Sequence, residues 1–313
     1  MTQVRTQQIS SRKARPFLKW AGGKTQLLAQ FASHYPRQLD SGEISRYVEP
    51  FLGGGAVFLD VVQRFSISEA VLFDINSELI LAYRVVQQKP QWLIERLSQL
   101  HAHYYALDDD RRERYFYEIR DAYNGQRNEV DYQRFSDLWI ERTAFMIFLN
   151  KTCYNGLFRV NSKGMFNVPF GRYKRPAILD EQNILHVSRL LEMAILRVGP
   201  FQACEQHIDD RTFVYFDPPY RPISATSSFT AYSTKRFGDA DQIALSEFYA
   251  TLDRTCRAKL MLSNSDPTHL VPDDDFFEAC YAGYRIHRVQ ASRMINTNAR
   301  KRGKIPELLI TNY

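Results

Sequence analysis

The sequence predicts a doubly wound α/β fold, a mostly parallel sheet with helices on both faces, interrupted by an insertion of helices and one β-hairpin. Three observations predict it. A strand-like run at Tyr47 and Val48 passes through a glycine-rich turn into an apolar helical stretch over residues 56–65 and a second apolar strand over 70–73, the opening of a parallel sheet. Between about 77 and 179 the pattern changes to helical periods. Strand and helix alternation then resumes, with a strand at 212–216, a helix at 241–255, and strands at 259–263, 284–289 and 308–311. A sheet that is begun, interrupted and completed accounts for this order.

The boundaries follow from the same reading. Residues 1–15 are polar, basic and without periodicity and read as a mobile arm, so the fold is expected to begin near Pro16. Residues 16–76 and 180–313 form one expected unit and 77–179 the other. Inside the insertion, Trp92, Leu93, Leu97 and Leu100 have helical spacing, Lys89-Pro90 marks a break between helices, and 139–149 is a long apolar helical stretch. Leu157, Phe158 and Val160 face Met165, Phe166 and Val168 across Asn161-Ser162-Lys163-Gly164, a hairpin pattern.

With 313 residues and a hydrophobic fraction of 44%, the chain can bury a sizeable core. No run approaches the ~18 apolar residues of a membrane span, and no secretory signal opens the chain, so a cytoplasmic protein without a membrane partner is expected. Cys153, Cys204, Cys256 and Cys280 form no C-x-x-C pair, which disfavours disulfides and zinc; no metal is expected. No long heptad pattern is present, and a monomer is expected.

The formal net charge is +6. Its distribution says more than its size. No acid precedes Asp40, and residues 151–175 and 285–304 are likewise free of Asp and Glu. Three separated basic segments point to a polyanion whose phosphates they contact. The stretch Arg300-Lys301-Arg302-Gly303-Lys304 is either a solvated loop or a backbone grip.

Three motifs carry chemistry. Glu49-Pro50-Phe51-Leu52-Gly53-Gly54-Gly55 follows the first strand, and Asp74 ends the second. Glycines allow close approach to a ligand, and a carboxylate at that strand tip can accept from ribose hydroxyls; G-x-G-x-x-G is absent, which disfavours a dinucleotide. Trp20-Ala21-Gly22-Gly23-Lys24-Thr25 resembles a phosphate loop only superficially, since position 18 is leucine where the pattern needs glycine. Lys24 is placed to meet a carboxylate or a phosphate, and Trp20 to cover an adenine ring.

The sharpest motif is Asp217-Pro218-Pro219-Tyr220, directly after the strand Phe213-Val214-Tyr215-Phe216. An adenine amino group is a poor nucleophile because its lone pair is delocalised into the ring. Two acceptors holding its hydrogens draw the nitrogen toward tetrahedral geometry. A carboxylate and a main-chain carbonyl stiffened by consecutive prolines supply them, and the adjacent aromatic ring offers a stacking face for a base rotated out of a duplex.

Taken together, these motifs resemble the Dam-type (D12 class) N6-adenine DNA methyltransferases. The likeness runs from Phe17-Leu18-Lys19-Trp20-Ala21-Gly22-Gly23-Lys24 through Glu49 to Gly55, Asp74-Ile75-Asn76, the hairpin segment and Asp217 to Tyr220, and on to Leu262-Ser263-Asn264-Ser265. The resemblance implies a Rossmann-like S-adenosylmethionine-dependent methyltransferase fold whose insertion recognises double-stranded DNA. It implies a cofactor site of Trp20, Ala21, Gly22, Gly23, Lys24, Glu49, Pro50, Phe51, Gly53, Gly54, Gly55, Asp74, Ile75 and Asp217. Asp217 and the Pro218 carbonyl would activate N6, with Pro219 stiffening the motif and Tyr220 stacking on the flipped base. No cysteine follows a proline, so the covalent route to carbon 5 of cytosine has no nucleophile here.

The segment from Asn150 to Asn161 is similar to the recognition hairpin of members that modify GATC. Arg159 would read a guanine, Leu157 a thymine methyl, and Tyr154 and Asn155 would contact or wedge between bases. Lys24, Lys151, Asn161, Lys163 and Arg172 would meet phosphates. For Phe158, hairpin packing is the expected role; many GATC enzymes carry Cys or Tyr there, and Val160 replaces a Tyr of some. A silent DNA-binding regulator and an RNA or protein amino methyltransferase are the other readings to weigh; a role in restriction-modification, in mismatch correction or in regulation lies in the genome and not in the residues.

Overall fold

A computed structural model describes residues 13–221, 237–292 and 304–313. Seven strands form one sheet: β1 (Arg46–Glu49), β2 (Glu69–Asp74), β3 (Ala194–Val198), β4 (Thr212–Phe216), β5 (Lys259–Ser265), β6 (Arg285–Ser292) and β7 (Lys304–Thr311). Their order is β3-β2-β1-β4-β5-β7-β6. The first five are parallel, and β7 runs antiparallel to both β5 and β6. The expected mostly parallel sheet is therefore present.

Alternation along the strands divides the core between the two faces. Tyr47, Leu72, Phe213, Tyr215, Met261 and Leu309 join one apolar cluster. Val48, Val71, Val214, Phe216, Leu260 and Leu308 join the other. The second face is covered by α9 (Asp239–Cys256) and the short α10 (Phe276–Cys280), through Leu245, Tyr249, Leu252 and Phe277.

The first face carries the remaining helices. Two short ones, α1 (Leu28–Phe31) and α2 (Gln38–Ser41), precede β1, and α3 (Ala56–Arg64) joins β1 to β2. Between β2 and β3 come α4 (Ser77–Gln88), α5 (Pro90–Ala106), α6 (Asp109–Gly125), α7 (Asp137–Thr152) and α8 (Glu181–Leu191). The helix starts are written in the sequence. Asn76 accepts from the N–H groups of Glu78 and Leu79, Asp108 caps α6, Asp180 caps α8, and Pro90 opens α5.

α4 is the seam between sheet and helical layer. Its Gln87 donates to the carbonyls of Leu191 and Ala194, and Arg84 to that of Leu196 at the edge strand. On its other side Glu78 receives the buried Arg142 guanidinium of α7, which also donates to the Tyr123 carbonyl at 2.7 Å. A charge this deep is tolerable only with such a full set of acceptors.

Two expectations need correction, and one strand adds to those expected. The hairpin does not form as two strands: its arms meet through isolated antiparallel bridges, Val160 with Phe166 and Cys153 with Phe170. Burial of Phe158, Phe166 and Val168 against the helices and the Asn161 side chain, which accepts from the N–H groups of Lys163 and Met165, hold the turn instead of a ladder. The ordered chain also begins before Pro16. Ala14 exchanges two hydrogen bonds with Gln63, and Arg15 pairs with Asp180 and bonds Asn183. Finally, β3 went unread, because α8 runs through Glu192 and Met193 into it with no Gly or Pro between.

The arm up to residue 12 and the basic stretch at 300–303 lie outside the described residues. Among the described residues no helix is long and apolar enough to cross a membrane.

Candidate functional site

In an open parallel sheet, ligands bind beyond the carboxyl ends of the strands, where neighbouring connections leave in opposite directions. Here that point lies between β1 and β4. β1 is followed by α3 and returns to β2 on one side, whereas β4 is followed by α9 and continues to β5 on the other. Both chemical motifs sit there: residues 50–55 follow β1, and Asp217 to Tyr220 follow β4.

The glycine loop is shaped by close packing. Gly53 and Gly55 have φ of +48° and +66°. A Cβ on Gly55 would stand 2.6 Å from the Tyr83 hydroxyl, and one on Gly53 would stand 3.1 Å from Trp20 Cδ1. The glycines thus admit Trp20 and Tyr83 of this chain. Trp20 in turn stacks on Phe158, centroids 5.4 Å apart, so Phe158 packs as expected while joining the loop to the turn segment.

Asp74 faces this loop from the end of β2. Its Oδ2 accepts from Gly53 N–H at 3.0 Å and its Oδ1 from Asn76 N–H at 2.8 Å. Burial raises its carboxyl above the ordinary aspartate range, opposed by these N–H groups. Ile75 beside it is 65% exposed. Glu49 is buried and accepts from the Tyr47 hydroxyl at 2.8 Å; burial first, then nearby Asp217 and Asp74, hold its carboxyl well above the usual range. Pro50 is buried, and Phe51 packs on Phe201 and Phe237.

Lys24 ties its own segment to the exit of β4. Its side chain is 3% exposed, its Nζ lies 2.6 Å from Asp217 Oδ1, and it donates to the Gly22 carbonyl at 2.8 Å. The same ammonium sits 4.8 Å from the Tyr220 ring centroid. Burial works against its charge, but Asp217, Tyr215 and Glu307 outweigh that and lift it above the ordinary lysine range. Asp217 Oδ1 also accepts from Ser263 Oγ at 3.1 Å, and Ser263 is hydrogen-bonded to Tyr215 at 2.7 Å. One carboxylate oxygen is thereby fully engaged. Among the described residues Asp217 Oδ2 and the Pro218 carbonyl receive no hydrogen bond.

The turn segment is tied to this centre by Asn150, which is 1% exposed. Its side chain accepts from Lys19 N–H and donates to the carbonyls of Lys19 and Gly156. Around it stand Lys151, Tyr154, Asn155 and Leu157. Tyr154 is 50% exposed, Asn155 has φ of +58°, and its N–H is held by the Tyr173 hydroxyl. Exposed Arg159 is braced on Asn167. Lys163 is exposed on the turn, and Arg172 pairs with Glu113.

A carboxylate with one oxygen held by Lys24 and Ser263, a Pro-Pro carbonyl and an aromatic ring stand together at the exit of β4, an arrangement suited to transfer to an amino group. The family profile of D12 class N6 adenine-specific DNA methyltransferases matches residues 20–295. The chain belongs to that family.

Relatives cover nearly all of the enzyme. The type II methyltransferase M.MjaIII of Methanocaldococcus jannaschii is 47% identical over 96% of this chain and all of its own length. The type II methyltransferase M1.LlaDCHI of Lactococcus lactis subsp. cremoris is 36% identical over 96% and 95%. The DNA adenine methylase of Escherichia coli is 34% identical over 95% of each chain. The sheet accords with the methyltransferase fold, and the enzyme is an adenine-specific DNA methyltransferase.

The site of this methyltransferase includes residues that motif reading did not nominate. Ser263 on β5 holds Asp217. Glu307 on β7, 9% exposed, faces Lys24 and Tyr220. Asn150 stands inside the apolar helix α7, and Glu307 opens an otherwise apolar run. A polar residue in such a run was the available signal.

Proposed function

We propose that the enzyme methylates N6 of adenine within GATC in double-stranded DNA, by base flipping and direct transfer from S-adenosylmethionine. The observation that carries this reading is the Lys24–Asp217 pair at the switch point, where the exits of the paired strands β1 and β4 set the glycine loop, held by Asp74, beside the segment Asp217 to Tyr220.

The residues fit the methyl donor. Asp74 offers carboxylate oxygens at a strand tip for ribose hydroxyls, Ile75 an exposed apolar face for a base, and residues 53–55 a loop without side chains, packed on Trp20 and Tyr83. Asp217 and Glu49 supply acidic surroundings suited to a sulfonium. When bound, S-adenosylmethionine supplies an activated methyl group.

The remaining work falls to the protein. Asp217 Oδ2 and the Pro218 carbonyl accept the two N6 hydrogens and draw the nitrogen toward tetrahedral geometry. Tyr220 stacks on the flipped base. Lys24 and Ser263 keep Asp217 Oδ1 occupied, so that the carboxylate presents one defined oxygen. As N6 becomes cationic its proton leaves to water, so Asp217 need not be a strong base.

Residues 77–179 act as the target-recognition unit in this reading. Arg159 reads guanine, Leu157 a thymine methyl, and Tyr154 and Asn155 act at the base step, while Lys151, Asn161, Lys163 and Arg172 meet phosphates. The names of the two type II relatives support a restriction-modification setting.

The test is methyl transfer from labelled S-adenosylmethionine to duplexes containing GATC, with GTTC and N6-methylated GATC as controls. Label confined to unmodified GATC is expected. Label at other adenines would overturn the recognition assignments, and label only on RNA or protein would overturn the substrate class.

A further inference from the structure

Two adjacent carbonyls in the motif have different partners. The Pro219 carbonyl points into the protein and accepts from Gln242 Nε2 of α9 at 2.9 Å. Gln242 is 1% exposed, and its other end, Oε1, accepts from Asn264 Nδ2 of β5 at 3.2 Å. Asn264 is fully buried, and its Oδ1 accepts from Ser265 N–H at 2.9 Å. Each amide has a donor at one end and an acceptor at the other, so neither can flip without breaking two bonds.

We infer that the Gln242–Asn264 pair is a positioning device, which turns the Pro219 carbonyl inward and thereby aims the Pro218 carbonyl and the Tyr220 ring at the acceptor adenine. The reasoning is steric. Proline fixes φ at 218 and 219, which leaves ψ as the soft angle at each. A buried donor on the Pro219 carbonyl fixes ψ of Pro219, and with it the direction in which Tyr220 leaves the motif. Prolines alone stiffen the segment; Gln242 gives it its direction. β5 thus serves the motif twice, through Ser263 on the carboxylate and Asn264 behind the carbonyl.

This inference rests on the proposed roles of Pro218 and Tyr220. Its test compares the full-length enzyme with Gln242→Met, Gln242→Glu and Asp217→Ala. Single-turnover methyl transfer is measured on a preformed complex, beside cofactor affinity, DNA affinity and the fluorescence of 2-aminopurine at the target base. Gln242→Met is expected to lower the transfer rate about 10- to 100-fold while both affinities stay within about twofold. Gln242→Glu keeps the acceptor for Asn264 and loses the donor to Pro219, so its rate should recover as pH falls and the carboxyl regains a proton. Wild-type transfer by both Gln242 variants, with Asp217→Ala inactive, would overturn the positioning role alone. Wild-type transfer by Asp217→Ala as well would overturn the reading of the site. Loss of rate only in step with loss of folding and cofactor binding would reduce Gln242 to packing and overturn the inference.

Discussion

Lys24 and Asp217, far apart in sequence, meet at 2.6 Å where the connections of β1 and β4 diverge. The pair, with Ser263, engages one carboxylate oxygen of Asp217. Lys24 is raised above its ordinary value, so its stabilising contribution is fully present below the ordinary lysine value of 10.5 and is lost only above it. The transfer rate should therefore show no Lys24 titration between about pH 6 and 9.

Lys24→Met removes the ammonium and leaves Asp217 without its counter-charge. The expected result is a fall in single-turnover rate of about 100-fold and a loss of about 1–3 kcal/mol of stability, discounted for the exposed side of Asp217. The carboxyl would then titrate higher, so the stability deficit should shrink as pH falls and it takes up a proton. Urea unfolding at pH 8 and pH 5 measures this.

Ser263→Ala takes one of two donors from Asp217 Oδ1 and strips Tyr215 of its partner. Transfer should slow about 3- to 10-fold, the range of one hydrogen bond, with DNA affinity unchanged in a gel-shift titration.

Glu307→Gln keeps a polar side chain beside Tyr220 and Lys24, whereas Glu307→Ala removes it. The glutamine variant should stay within about threefold of wild type and the alanine variant should lose about tenfold. The 2-aminopurine signal should weaken in the alanine variant only.

Lys151 carries a charge under strain. Burial first, then Lys19 and Arg15, bring its pKa down to about 8. Folding therefore disfavours its proton: the cost is complete below pH 8, and stability recovers as pH rises from there toward the ordinary lysine value. Lys151→Met should stabilise the free enzyme by about 1–3 kcal/mol at pH 7, with little difference left near pH 10, by denaturant titration.

The sequence made the parallel strands and their motifs legible because both are local. Apolar alternation placed β1, β2, β4 and β5 within a residue or two, and a Pro-Pro step after an apolar strand can hardly be anything but a rigid strand exit. Partners distant in sequence were not legible. Nothing near Gly55 says that Tyr83 will fill the space a Cβ would take, and nothing near Pro219 points to Gln242. The hairpin misread has the same origin. Its β-formers are buried against helices, and that burial is satisfied without a regular ladder.

The most direct measurement is single-turnover methyl transfer by Asp217→Ala to an adenine-containing duplex, with N6-methyladenine quantified by mass spectrometry. The site described above predicts a loss of at least about 10³-fold with the fold and much of the DNA affinity retained. A rate near that of the wild type would contradict it.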